Sequence, residues 1–333
     1  MSALRGALAA GASAMMLCSS AGAEGASEPS LPGHTRPISE LKPTAVIRLG
    51  KTADWVAIEA DAVWVGGTGP NAVHRIDPRT NTRAATVELN GEPCAGIAIG
   101  FGSVWVPLCG KPSTLARVDA IRNVVTATYT TGPAAEEGGI TTSTDSVWLV
   151  TDKEGSLARI DPDTGRVRQT VRIPPGSYNP RFAAGRIWIT RAEGAEVTVV
   201  DAVTGAVLGS VTTGPGPRFL SAGAGAIWTL NQGDGTVTRI DAESRQVIRT
   251  IALGTPGHGG DIAYGGGILW TSMPKVPLSA VDSADSRLLC QWVGPGGDAL
   301  GIGHNAIWLT DYHGGTVSRL ELQDAVDRCR RRG

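Results

Sequence analysis

The sequence has no excess of charge: 30 Lys and Arg stand against 31 Asp and Glu, a formal net of −1. Without a field of one sign there is nothing to draw in a polyanion, so nucleic acid is excluded as the natural partner. Beyond the N-terminal segment no stretch approaches the roughly 20 apolar residues of a membrane helix. The familiar catalytic strings are missing too: no Gly-x-Ser-x-Gly past the leader, no His-Glu-x-x-His, no phosphate loop. Asp161-Pro162-Asp163-Thr164-Gly165 begins like a calcium loop but lacks the later acidic ligands. The same place in other parts of the chain reads Asp77-Pro78-Arg79-Thr80-Asn81 and Asp201-Ala202-Val203-Thr204-Gly205, and a type I turn with a left-handed last residue accounts for all three.

Cysteine is scarce, five in 333 residues, and its placement is informative. Residues 1–23 read as a secretory signal: Arg5 is the early charge, Ala7 to Cys18 is apolar and small, and Ala21-Gly22-Ala23 fits a cleavage site. The expected location is periplasmic or secreted, after cleavage near Ala23. Cys18 has Leu17 before it, where a lipoprotein cysteine would want a small residue. Cleavage leaves four cysteines in an oxidising compartment. Cys94 and Cys109, counted outward from a turn near Phe101-Gly102, face each other across a hairpin and are expected to form a disulfide. Cys290 and Cys329 are a second possible pair. Residues 24–43, with four prolines, read as a flexible leader, and 323–333 as a basic tail.

What is abundant is repetition. Trp64, Trp105, Trp148, Trp188, Trp228, Trp270 and Trp308 recur at steps of 41, 43, 40, 40, 42 and 38 residues. Each is followed after 12 to 14 residues by an acid: Asp77, Asp119, Asp161, Asp201, Asp241, Asp282 and Glu321. Two markers in phase through seven copies predict seven propeller blades over 44–322. Glycine, 45 residues, supplies the turns that some four strands per blade require. The fifth copy divides into strands a to d at Phe219 to Ala222, Ala226 to Leu230, Thr236 to Ile240 and Gln246 to Leu253. The last copy stops after strand c. Thr44 to Gly50 matches other d strands, so the N-terminal strand is expected to complete the C-terminal blade and remove the open edge. The prediction is an all-β, seven-bladed propeller of four-stranded antiparallel blades, a monomer, with its tryptophans buried between blades.

Gly225-Ala226-Ile227-Trp228, Gly235-Thr236-Val237-Thr238-Arg239-Ile240-Asp241 and Thr250-Ile251-Ala252-Leu253-Gly254 carry a resemblance to the secreted YncE-like and YVTN-repeat propellers. The pattern is also similar to the virginiamycin B lyase family. That second resemblance implies a magnesium-assisted elimination opening a cyclic depsipeptide, with histidines at inner-strand entrances; His258 occupies such an entrance.

In a propeller the d-to-a and b-to-c connections open on one face around the channel. Candidate ligand-binding residues there are Asp54, Glu137, Arg181, Arg218, Asp298, Asp311 and Tyr312. Arg181 and Arg218, on consecutive entrances, suit a carboxylate clamp. His258 and His313, with Asp298 and Asp311, form the candidate catalytic and metal set for Mg2+ or another divalent ion. Mixed charge at the mouth fits a small polar ligand, or a protein or peptide, and the favoured reading is binding without chemistry. The alternative is a metal-assisted lyase or hydrolase.

Overall fold

Residues 31–331 are described by a computed structural model. The expected signal segment, the start of the leader and the last two residues lie outside the described residues. The chain forms seven sheets in sequence order, each built around antiparallel strands. Blade five shows the plan: Pro217–Gly223 (a), Ala226–Asn231 (b), Thr236–Asp241 (c) and Val247–Ala252 (d). The inner strands Asp54–Ile58, Ile140–Thr142, Ser177–Ala183, Asp261–Gly265 and Leu300–Gly303 line the channel with that of blade five. In blade two the inner strand is split into Glu92–Pro93 and Ala98–Gly100.

Ring closure is as the repeat predicts. Ala45–Arg48 pairs antiparallel with Thr316–Glu321, Ile47 opposite Val317, and supplies strand d of blade seven. Ile47, Leu49, Trp308 and Val317 then share one buried cluster with blade one.

The two markers have separate physical roles. All seven tryptophans are fully buried, and each indole N–H donates to the residue five positions back, in the a–b turn. For Trp228 the acceptor is the Gly223 carbonyl at 3.1 Å; for Trp64 it is the Glu59 carboxylate at 3.0 Å. The ring is thereby apolar in packing and satisfied at its polar edge. The Arg of the Arg-Ile-Asp triplet pairs across strands with the tryptophan, and Arg117, Arg159, Arg239 and Arg319 lie over their rings at 5.2, 5.4, 4.8 and 6.0 Å. The Asp closes the c–d turn. Asp161 accepts the N–H groups of Asp163 and Thr164 at 2.9 and 2.8 Å, and these bonds with Arg168 hold its pKa down at about 2. Gly165 ends that turn at φ 69°, a left-handed position, so turn geometry explains the half-motif for calcium.

Two terminal segments depart from expectation. Within the supposed leader, His34–Pro37 forms a strand parallel to Arg287–Val293, so blade six has five strands, and Leu41 is buried beyond a 3-10 turn at Ile38–Glu40. The supposed tail is helical over Leu322–Arg330, with Ala325, Val326 and Cys329 buried against blades six and seven. Leu322, Ala325, Val326 and Cys329 fall at helical spacing and make one apolar stripe, which outweighs the basic residues between them. The predicted Cys94–Cys109 disulfide is formed, and so is the possible second pair, Cys290–Cys329, which ties this helix to blade six. Among the described residues no helix is long and apolar enough to cross a membrane.

Candidate functional site at the channel mouth

The inner strands enclose a channel of about 420 Å³. Its waist is set by register. Each blade tryptophan pairs across the a–b ladder with one inner-strand residue: Ala57, Ala98, Thr141, Arg181, Ser221, Ala263 and Gly301. Six are small, as a crowded axis requires. The fourth is arginine, a break in seven-fold symmetry that packing does not call for. The Arg181 guanidinium is surrounded by protein on every side yet remains open to water, because it stands in the lumen. Burial lowers its pKa, and the opposite charge of Asp261 partly offsets this. The sequence reading placed Arg181 at an entrance. A bulge between Ser177 and Pro180 takes up extra residues at the start of the strand and sets it deeper, at the waist.

Above the waist lies a group of carboxylates from four blades. Asp54 and Asp261 are the first residues of the inner strands of blades one and six, while Glu137 and Asp298 sit in the loops leading into blades three and seven. Asp54 is half-buried, and its pKa is raised well above the usual carboxylate range by that desolvation and by repulsion from Asp298, Glu137 and Asp261. Burial raises Asp261 to about 7, against the opposing N–H bonds from Ile262 (2.7 Å) and Leu300 (3.2 Å). Glu137 is raised by burial and Asp298, with Arg218 opposing. Asp298 is raised by burial, although Gly260 donates to it at 3.2 Å and His313 pulls the other way. Tyr312, at the edge of the same group, is raised by burial and by the charges of Asp54, Glu92, Glu137 and Asp298. Two non-glycine residues here hold left-handed backbone, Trp55 at φ 56° and Glu137 at φ 62°, a strain that persists only where the surroundings impose it. The Trp55 ring meets Phe219 edge-on at 6.1 Å and lines the channel, where its position at the head of an inner strand puts it.

Of the two arginines expected to clamp a carboxylate, Arg181 lines the channel and Arg218 lines a groove on the rim. Arg218 stacks on the Tyr178 ring at 3.6 Å and donates to its hydroxyl, which in turn donates to the Glu136 carbonyl. Burial drives the Tyr178 pKa to about 12, so the phenol stays protonated. The two guanidiniums thus have different surroundings, one on the rim and one in the lumen.

The expected metal set does not assemble either. Among the described residues no group of three or more His, Cys, Asp and Glu is arranged to hold a metal ion. His258 and His313 are exposed, the latter edge-on to Tyr312 at 5.1 Å. Asp311 accepts the Gly314 N–H at 2.9 Å and shapes its own loop. The donors therefore do not fit a resident divalent ion. His304 and His74 are structural. His304 holds the Glu59 carbonyl at 2.9 Å, and His74 is buried beside Thr86, its pKa lowered by burial to about 4. Asp261 is the residue the sequence reading passed over. Its signal is its likeness to Asp54: both begin an inner strand.

No protein-family model and no curated relative matches the chain. Among solved structures the chain is similar to BamB from Moraxella catarrhalis, with a TM-score of 0.60 and 14% sequence identity, over 84% of this chain and 99% of that one. At that identity the likeness is one of fold: a ring of β-sheet blades.

Proposed function

We propose that this chain is an extracytoplasmic propeller that binds a small polar ligand bearing positive charge at its channel face. The observation that carries this reading is the convergence of Asp54, Glu137, Asp261 and Asp298 from four blades on one mouth, each with its acidity suppressed. Like charges gathered in a half-buried place destabilise a fold that nothing offsets. A bound cation relieves the repulsion and restores the ionised forms. The extracytoplasmic placement is supported by the N-terminal signal pattern and the two disulfides. Of the two resemblances the YncE-like one fits this reading better, because among the described residues no group of donors is arranged to hold a metal.

The test is a thermal-shift screen of the full chain against small amines, amino acids, sugars and carboxylates, repeated with Asp54→Asn/Asp298→Asn. Compounds bearing an ammonium group should raise the melting temperature of the native chain and not of the variant. Amines that shift neither protein, or both equally, would refute the reading.

A further inference from the structure

The mouth explains why a cation would enter, but not why a cation should also be built into the waist. Arg181 makes no hydrogen bond or ion pair within the protein among the described residues, although it is enclosed by neighbouring blades. Phe182 and Pro180, its chain neighbours, are committed to the ladder. Polar groups that line the same channel, Asn179, Thr141 and Ser221, are engaged elsewhere: Asn179 donates to the Arg218 carbonyl at 2.8 Å, Thr141 accepts the Phe182 N–H at 3.1 Å, and Ser221 accepts the Tyr264 N–H at 3.0 Å, while Asp261 acts on Arg181 through its charge without a hydrogen bond. Those bonds tie neighbouring inner strands together and leave the guanidinium's planar fork of donors aimed into open space. A guanidinium that stands in the lumen with no protein acceptor has its donors free for a ligand, and its natural complement is a carboxylate held by two parallel bonds.

We propose that the channel receives a small zwitterion, its carboxylate held by Arg181 at the waist and its ammonium by Asp54, Asp261, Glu137 and Asp298 at the mouth. The vertical spacing suits this. Asp54 and Asp261 pair with residues two places beyond the blade tryptophan, whereas Arg181 pairs with the tryptophan itself. Two strand residues correspond to about 6–7 Å, close to the span of a dipeptide with free termini, whose two Cα atoms lie about 3.8 Å apart with a charged group beyond each. The channel volume of about 420 Å³ holds a ligand of that size. Amino acids and dipeptides share this chemistry. The small waist residues Ala57, Ala263 and Gly301 leave room beside the arginine.

This proposal rests on the channel face being the binding surface, and its test separates the two. Calorimetry on the full chain compares alanylalanine, its C-terminal amide and its N-acetyl form at millimolar concentration and pH 8. The free dipeptide should bind at least about tenfold more tightly than either capped form, about 1.4 kcal/mol. Arg181→Gln should abolish the preference over the amide while keeping the preference over the acetyl form, and Arg181→Lys should restore part of what was lost. Asp261→Asn should do the reverse. Binding of the amide as tight as the dipeptide would overturn the zwitterion and leave the cation-binding mouth standing. No binding of the dipeptide, or a carboxylate preference that survives Arg181→Gln, would overturn it as well. Circular dichroism of each variant shows whether the blades are intact.

Discussion

Asp54 and Asp261 stand at one level of the channel, each the first residue of its inner strand, and each accepts the N–H of the next residue at 2.7 Å. They belong to blades one and six, on opposite sides of the closing blade, and repel one another across the mouth. An aspartate heads the inner strand on these two blades, where Ile140, Ser177, Pro217 and Leu300 head those of blades three, four, five and seven, and this marks a face on which function has overridden the repeat.

The first prediction concerns pH. An unfolded aspartate titrates near 3.8, whereas Asp261 in the fold titrates near 7. Between those values the folded chain holds a proton that the unfolded chain has lost, so the contribution of Asp261 to stability falls as pH rises through that window. Asp54, Glu137 and Asp298 act in the same sense. Buried His74 acts oppositely: its pKa is lowered from 6.5 to about 4, so its contribution is lost as pH falls through that range. Comparing Asp261→Asn with the native chain cancels the His74 effect. The melting temperature of the variant minus that of the native protein should climb between pH 5 and pH 8, at about 2–4 °C for each kcal/mol. A difference independent of pH would show that Asp261 is ionised throughout.

The second prediction tests closure. Ile47 is buried opposite Val317, while its neighbour Val46 is 59% exposed on the same strand. Ile47→Asp would put an unpaired carboxylate into the cluster around Trp308 and should cost at least about 3 kcal/mol, with a matching fall in the urea midpoint. Val46→Asp should change stability by less than about 0.5 kcal/mol. Equal effects at the two positions would mean that the strand is not held in this register.

The blades were legible because tryptophan and the Arg-Ile-Asp triplet act locally, and each copy repeats the same turn chemistry. The N-terminal closing strand was legible for the same reason: Val46 to Leu49 looks like any other outer strand. The mouth was legible in part. Position within the blade plan put Asp54, Glu137 and Asp298 on one face, and the structure brings them together. Burial and mutual repulsion, which turn a set of rim residues into a site, depend on distances that no spacing reports. Arg181 was misplaced because the bulge before Pro180 has no residue signature that separates it from a longer loop. The added strand at His34–Pro37 was hidden because its partner is a neighbour only once the ring has closed.

The third prediction concerns the C-terminal helix. Cys290–Cys329 closes a loop of 39 residues in sequence, longer than the 15 of Cys94–Cys109. A bridge of that length restricts the unfolded chain by about 4 kcal/mol in the chain-entropy picture, with about 2–4 typical in practice. The helix it ties down also buries Ala325 and Val326, and Arg36 of the added strand donates to the Arg331 carbonyl at 2.7 Å. If packing and bridge share the load, Cys290→Ala/Cys329→Ala should lower the melting temperature while leaving the propeller folded at room temperature. Trypsin should then cut after Arg328 and Arg330 well before global unfolding, because the helix can open alone once the covalent tie is gone. The native chain in reducing agent should show the same early cuts, whereas Cys94→Ala/Cys109→Ala should not. A helix that stays protected in the Cys290→Ala/Cys329→Ala variant would mean that the apolar stripe alone holds it on blade six, and the bridge would then serve the unfolded chain more than the folded one.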